Sequence, residues 1–246
     1  MAINPGLNGS ARVTGTTSDN FNFTGEDSYS LSFWFFPTDF LTSRNFIARF
    51  VFSSPNHRGW NMNIGDTDNK IKLQHWQATT VTSAVCTFPF TVVSWYHILV
   101  TYNGGTNIAS FFVGGSPWGV LTGITGANTD TGDALLFKSV IGLSEVAIWE
   151  DKVLTSADAV FLSEKGTDIK KTKGRPLDIP NGLLGYWPLT GTIGASVVGN
   201  QVVDLSGNGY HGVGTSGTNP IIWTDESAIF PVVRPQGIVT ANARYW

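Results

Sequence analysis

Residues 204–212 read DLSGNGYHG, and Gly207, Gly209 and Gly212 satisfy G-x-G-x-x-G, a spacing that can cradle a phosphate. That chemistry requires a strand before the turn, a helix after it, and an acidic residue ~20 positions on, in a second strand. Here the chain continues as VGTSGTNP, without helical periodicity, and Asp225 sits in a proline-flanked segment. The glycines instead predict turns at positive φ.

Other chemistries meet similar obstacles. Glycoside hydrolysis needs two carboxylates, about 5–5.5 Å apart for retention or about 6.5–9.5 Å for inversion. The best strand for it offers Glu145-x-Ala147-x-Trp149, without the partner carboxylates, while Asp225 and Glu226 would point to opposite faces if extended. A pairing distant in sequence stays open. His57, His75, His97 and His211 belong to no serine or cysteine nucleophile motif, and His97, at the start of an apolar strand, reads as structural. Cys86, the only cysteine, reads as a small buried hydrophobe and excludes an intrachain disulfide. No catalytic residue is expected, and the chain is not expected to be an enzyme.

Two binding chemistries remain. Asp66-Thr67-Asp68-Asn69 offers hard oxygen ligands for Ca2+, and Asp66, Asp68 and Asn69 are the candidates. The same residues make an ordinary hairpin turn. No other cofactor is expected. Glycan binding needs exposed aromatic planes beside directional polar groups; Trp60, Trp76 and Trp118 are candidates, with Asn61 and Asn63 close in sequence. Core packing is the competing reading for each tryptophan.

The elements that must position these residues alternate with period two. YSLSFWFF places Tyr29, Leu31, Phe33 and Phe35 on one face, with Ser30, Ser32 and Trp34 on the other. NFIARFVFS is expected to group Phe46, Ala48, Phe50 and Phe52. GWNMNIG alternates Trp60, Met62 and Ile64 with asparagines, and KIKLQHW alternates Ile71, Leu73 and His75 with Lys70, Lys72 and Gln74. Turns such as Ser54-Pro55-Asn56 and Asn103-Gly104-Gly105 separate the runs. One segment, LTSADAVFLSEKG, predicts a helix over Ala157–Lys165, capped by Thr155 or Ser156 and stopped by Gly166. The fold class is therefore all-β: an antiparallel β-sandwich or jelly roll with one short helix.

Composition agrees with a thick apolar core under a neutral polar surface: of 246 residues 13% are charged and 13% aromatic. The net charge of -3 offers no general attraction to nucleic acid or an anionic membrane. No apolar run approaches the ~20 residues of a membrane helix. MAINPGLNGS shows no secretory signal, so the sequons at Asn8 and Asn22 read as accidental. Lys170, Lys171, Lys173 and Arg175 read as a solvated connector.

Three segments, in order, resemble the laminin-G-like branch of the concanavalin A-like jelly-roll superfamily. They are DSYSLSFWFFPTDF from Asp27, SWYHILVTYNGGTNIASFFVGG from Ser94, and SEVAIWEDKVLTSADAVFLSEKG from Ser144. The second is similar to the family's W-x-H hairpin with its V-[ND]-G turn, but Gly114 stands where Asn or Asp is usual, which weakens a binding role there. In the family, a segment like GYWPL…DLSGNGYHG opens the domain; here it follows the helix. The resemblance thus implies a permuted order, residues 1–225 forming one domain with 182–215 supplying the first strand; a small second lobe is the alternative.

That order is similar to laminin-G-like proteins encoded in bacteriophage genomes. It implies a non-catalytic structural or assembly protein of the virion, decorating a capsid or associated with a tail. Its expected partners are other virion proteins or further copies of itself, and a surface glycan. Residues 226–246, with Phe230, Val232, Val233, Tyr245 and Trp246, are too apolar for a free terminus and predict a docking tail. A glycan-binding, lectin-like module at a cell surface is the alternative function, and a glycoside hydrolase the third.

Overall fold

In the computed structural model the described residues are 2–5, 10–13, 20–37, 40, 44–51, 57–65, 69–92, 94–124, 127, 135–138, 141–164, 174–189, 201–215 and 221–224. Among them the strands run in chain order as β1 (Ala2–Pro5), β2 (Ser10–Val13), β3 (Tyr29–Pro37), β4 (Arg44–Val51), β5 (His57–Ile64) and β6 (Ile71–Ala78). There follow β7 (Thr80–Val85), β8 (Tyr96–Asn103), β9 (Ile108–Val113), β10 (Ser116–Thr122), β11 (Leu135–Lys138) and β12 (Ile141–Glu150). After the helix α1 (Ser156–Ser163) and a 3-10 turn at Pro176–Asp178 come β13 (Leu183–Trp187), β14 (Gln201–Val202), β15 (Gly212–Thr215) and β16 (Ile221–Thr224).

The strands form two antiparallel sheets. The first runs β10-β9-β8-β3-β12-β1-β16, with β13 also paired to β12. The second runs β14-β15-β2-β11-β4-β5-β6-β7. The antiparallel β-sandwich expected from the alternation is therefore the fold, with, among the described residues, one short α-helix packed on an outer face. Among the described residues no helix is long and apolar enough to cross a membrane.

Period two explains the interior. Tyr29, Leu31, Phe33 and Phe35 from β3 and Trp60, Met62 and Ile64 from β5 all join the core between the sheets. Rings close the gap: Phe33 meets Phe46 edge-on at 5.6 Å, and Phe23 stacks on Tyr29 at 4.4 Å. Each such side chain contributes roughly 1.5–3 kcal/mol of burial, so the core needs no covalent staple.

The expectation for β4 is corrected by a β-bulge. The register against β5 shifts between Asn45 and Ile47, so Phe46 and Ile47 both reach the core. Ala48 then pairs with Asn61 on the outer face instead of sharing a face with Phe46, and Arg49 pairs with Trp60 on the inner side. Phe52 lies outside the described residues.

The outer face of the first sheet is sealed. Trp149, Ala147 and Leu99 pack with Leu154, Ala159 and Leu162 of the helical segment and with Tyr186 of β13. The Trp149 indole N–H donates to the Ile179 carbonyl at 2.9 Å. The helix starts as expected: Thr155 caps it, its side chain accepting from the Asp158 amide while Asp158 bonds back to the Thr155 amide. Its last residue is Ser163, with Glu164 as the C-cap, two residues short of the Lys165 that the sequence predicts.

Candidate functional site

Gly207 (φ 95°) and Gly209 (φ 77°) do occupy the left-handed region, and Gly212 opens β15, a strand. The motif is a knot around Asp204. Its buried carboxylate accepts from the amides of Tyr186 (2.9 Å), Ser206 (2.9 Å) and Tyr210 (3.0 Å) and from the Ser206 hydroxyl (2.8 Å). The Asn208 amide donates to the carbonyls of Leu183 and Leu184, and the Trp187 indole donates to the Tyr210 carbonyl. The segment ties β13 in the first sheet to β15 in the second, so its polar groups are spent on structure. Sequence reasoning weighed the glycines and missed Asp204; four acceptor bonds on one buried carboxylate are visible only once the loop is folded.

The histidines and the thiol are equally committed. Tyr29 and His75 share a hydrogen bond of 2.6 Å inside the core, and Ser32 meets the His97 ring at 2.9 Å. His211 Nδ1 accepts the Asp204 amide. Burial pushes the Cys86 thiol up to about 11, the Phe88 backbone bond opposing. Glu145, at a left-handed φ of 54° in the β12 bulge, accepts the Tyr186 hydroxyl. Burial first, and that carboxylate second, hold the Tyr186 phenol well above its ordinary range.

Among the described residues, a polar network lies on the outer face of the second sheet. Cross-strand partners share a face, and the row Val213, Arg12, Leu136, Ala48, Asn61, Gln74, Ser83 runs across it in register. Asn61 is its hub. The Asn61 amide donates to Asn45 Oδ1 (2.8 Å) and Gln74 Oε1 (2.9 Å), and its oxygen accepts the Trp76 indole N–H at 2.7 Å. Asn63 donates to Asn45 at 3.0 Å, and Gln74 to the Ser83 hydroxyl at 3.3 Å. Trp76 is half-buried, pairs with Gly59 on one side and the exposed Val81 on the other, and meets the His57 ring edge-on at 5.2 Å.

This network fixes the indole, and Trp76 is half-buried. Beside it stand the half-buried Gln74, Ser83 and Lys72, so the face presents an aromatic surface, amides, hydroxyls and an ammonium. Such a set can stack a sugar ring and bond its hydroxyls. The strands of the second sheet carry no Asp or Glu at all.

The expected glycan residues are thus separated. Trp60 is fully buried, its indole donating to the Phe21 carbonyl at 2.9 Å, and has no plane to offer. The reason is parity: Trp60 shares its face with Met62 and Ile64, whereas Trp76 shares its face with Gln74 and Lys72, a difference already readable in the sequence. Asn61 is also fully buried, so it positions Trp76 and Gln74 and is not itself a contact. Trp118 lies in the first sheet and packs edge-on against Phe88 at 4.9 Å, away from this row. Asn45, Gln74 and Ser83 were not singled out from sequence.

Of the expected calcium ligands, Asn69 is exposed with φ 51°, while Asp66 and Asp68 lie outside the described residues. Among the described residues no group of three or more His, Cys, Asp or Glu side chains is placed to hold a metal ion. Phe230, Val232, Val233, Tyr245 and Trp246, with Asp225, lie outside the described residues as well.

Residues 8–158 match a laminin G model described as the Concanavalin A-like lectin/glucanases superfamily. No curated protein matches the chain in sequence. Among solved structures, a Bacteroides ovatus protein to which carbohydrate binding is ascribed is similar with a TM-score of 0.57 at 17% identity; the alignment covers 91% of this chain and 60% of that one. A heptameric SAP-like pentraxin of Limulus polyphemus is similar at 14% identity with a TM-score of 0.43, over 64% of this chain and 82% of the other. The receptor binding domain of a botulinum neurotoxin C/D mosaic serotype gives 0.45 at 14% identity, over 56% of this chain and 36% of that one.

Proposed function

The chain belongs to the concanavalin A-like lectin/glucanases superfamily, and from that premise we propose that it is a non-catalytic module binding a saccharide on the outer face of its second sheet. One observation carries this reading: the indole of the half-buried Trp76 is held by Asn61, among half-buried Gln74, Ser83 and Lys72. The lack of any carboxylate in the strands of that sheet favours binding over hydrolysis, since both hydrolytic geometries need two. The Bacteroides protein is consistent with the fold, and its ascribed ligand class is compatible with this role.

The test is a glycan array with the intact chain beside its Trp76→Ala variant, each checked for a native near-ultraviolet spectrum. Binding to a defined set of glycans, lost in a folded Trp76→Ala, is expected. An array with no hits, or hits indifferent to the substitution, would sink the reading.

A second proposal concerns where the module works: as a capsid-decorating or tail-associated protein of a virion, assembling with other virion proteins or with itself. Its support is the order of elements, because β13, which follows the helix, pairs with β12, and β15 then pairs with β2. That is what a permuted first strand predicts, and the resemblance ties such an order to phage-encoded proteins. The apolar residues of 226–246 would supply the docking segment. Mass spectrometry of purified virions from the source should find the chain, and removal of residues 226–246 should abolish incorporation. Incorporation unchanged by that deletion counts against the docking tail.

A further inference from the structure

Three exposed apolar side chains, Val213, Val203 and Leu205, follow one another over one edge of the sandwich. On the outer face of the second sheet Val213 pairs with Gln201. Val203, two residues on from Gln201, is therefore a diagonal neighbour of Val213. The alternation buries Val202 and Asp204 and leaves Val203 and Leu205 outside. At Leu205 the chain has crossed to the first sheet, where its amide donates to the Tyr186 carbonyl at 2.8 Å. Val81 of β7 and Val120 and Leu121 of β10, also exposed, lie at the opposite end of both sheets.

This strip ends beside Thr224, the last described residue. Along the edge of β12 that faces away from β3, β13 and β1 lie end to end. Ala147 meets Tyr186, the Glu145 amide donates to the Pro188 carbonyl, and Leu143 meets Ile3. Leu205 lies one step outside β13 at Tyr186, and Thr224 one step outside β1 at Ala2. On β12 these two places are Ala147 and Ser144, so Leu205 and Thr224 are set about 10 Å apart along the strand direction. After Thr224 comes the polar run Asp225-Glu226-Ser227, which spans that gap when extended, and then AIFPVV, residues 228–233. Pro231 and Pro235 have no amide with which to continue a ladder on β16, which favours docking through side chains.

We propose that residues 228–233 fold back onto their own domain and cover Leu205, Val203 and Val213. Closing the strip in this way removes apolar surface from water on both sides. A second copy presents the same strip, but a segment on so short a tether meets its own at an effective concentration on the order of millimolar. The proposal needs neither the saccharide nor the virion reading. It divides the C-terminal segment in two: residues 228–233 are held by the domain, and residues 236–246, with Tyr245 and Trp246, are left to reach a partner.

The experiment is hydrogen exchange of the full chain, read by mass spectrometry on peptides covering 225–235 and 236–246. Amides of 228–233 should exchange about tenfold or more slowly than in a free peptide of the same sequence, at low and high protein concentration alike. Leu205→Asp changes an exposed side chain and keeps the backbone bond to Tyr186, and it should return these amides to the free-peptide rate. Phe230→Asp should do the same from the other partner, and it alters no residue of the sandwich. Exchange of 236–246 should not respond to Leu205→Asp. Free-peptide rates in the parent chain overturn the proposal. So does slow exchange that survives either substitution in a chain with a native near-ultraviolet spectrum. Slow exchange that appears only at high concentration assigns the strip to a second copy and overturns the fold-back.

Discussion

The two outer faces of the sandwich are built from the same alternation and put to opposite use. On the first sheet the positions turned away from the core are Leu99, Ala147 and Trp149, and the helical segment closes over them. On the second sheet they are the buried Asn61 and the half-buried Gln74 and Trp76, bonded to one another laterally. Trp149 and Trp76 both donate their indole N–H to a protein oxygen, at 2.9 and 2.7 Å. The first bond anchors a lid; the second holds a plane in a fixed pose. The two tryptophans differ in what covers them: Trp149 is fully buried and Trp76 is half-buried.

The sharpest way to break this comparison is to truncate both indoles. Trp149→Ala empties a fully buried site and should cost about 3–5 kcal/mol in denaturant unfolding. Trp76→Ala, on the open face, should cost under about 1.5 kcal/mol by the same measurement while removing saccharide binding. Similar losses for the two would show that the second face is sealed as well. Next comes Asn61→Ala, which removes the acceptor of the Trp76 indole, the donor to the Gln74 oxygen and one of two donors to Asn45; destabilisation of about 1–3 kcal/mol is expected, with weaker saccharide binding although Asn61 touches no ligand. Thr155→Ala removes the cap of the sealing helix and should cost about 1 kcal/mol without changing affinity.

The mildest test is pH. The Cys86 thiol has its proton affinity raised by burial from 9.0 to about 11, so the folded state favours the neutral form. Its contribution is complete below pH ~9 and is lost as pH rises through about 11, because the unfolded thiol ionises first. Thermal unfolding of Cys86→Ala and the parent should therefore differ by a constant amount at neutral pH and converge above pH ~9. A difference unchanged across that range would contradict the burial account.

Much of this was legible in the sequence, and what was not has local causes. The alternation of β3, β5 and β6 gave their inner faces correctly, and Thr155 with Asp158 announced the helix start. Carrying the β6 pattern one residue further would have put Trp76 with Lys72 and Gln74, and so ranked it above Trp60. The β4 bulge was not readable, because an inserted residue is dictated by the partner strand and leaves the apolar composition of the segment unchanged. The amide network was hidden for a related reason: Asn61, Gln74 and Ser83 come from three strands that only register brings to one row, and Asn45 reaches Asn61 from the neighbouring row.

The pairing of β2 with β11 and β15 bears on how the chain comes into being. A ribosome delivering ~5–20 residues per second must run for roughly 10–40 s after Val13 before Gly212 emerges to meet it. Over that interval one edge of β2 stays unpaired, and the edge of β4 that meets β11 stays open until Leu135–Lys138 emerge. Contacts so distant in sequence also make closure slow on loop-entropy grounds. Synthesis of this protein at high yield should therefore depend on temperature and on chaperone supply, well before any question of stability in the finished sandwich arises.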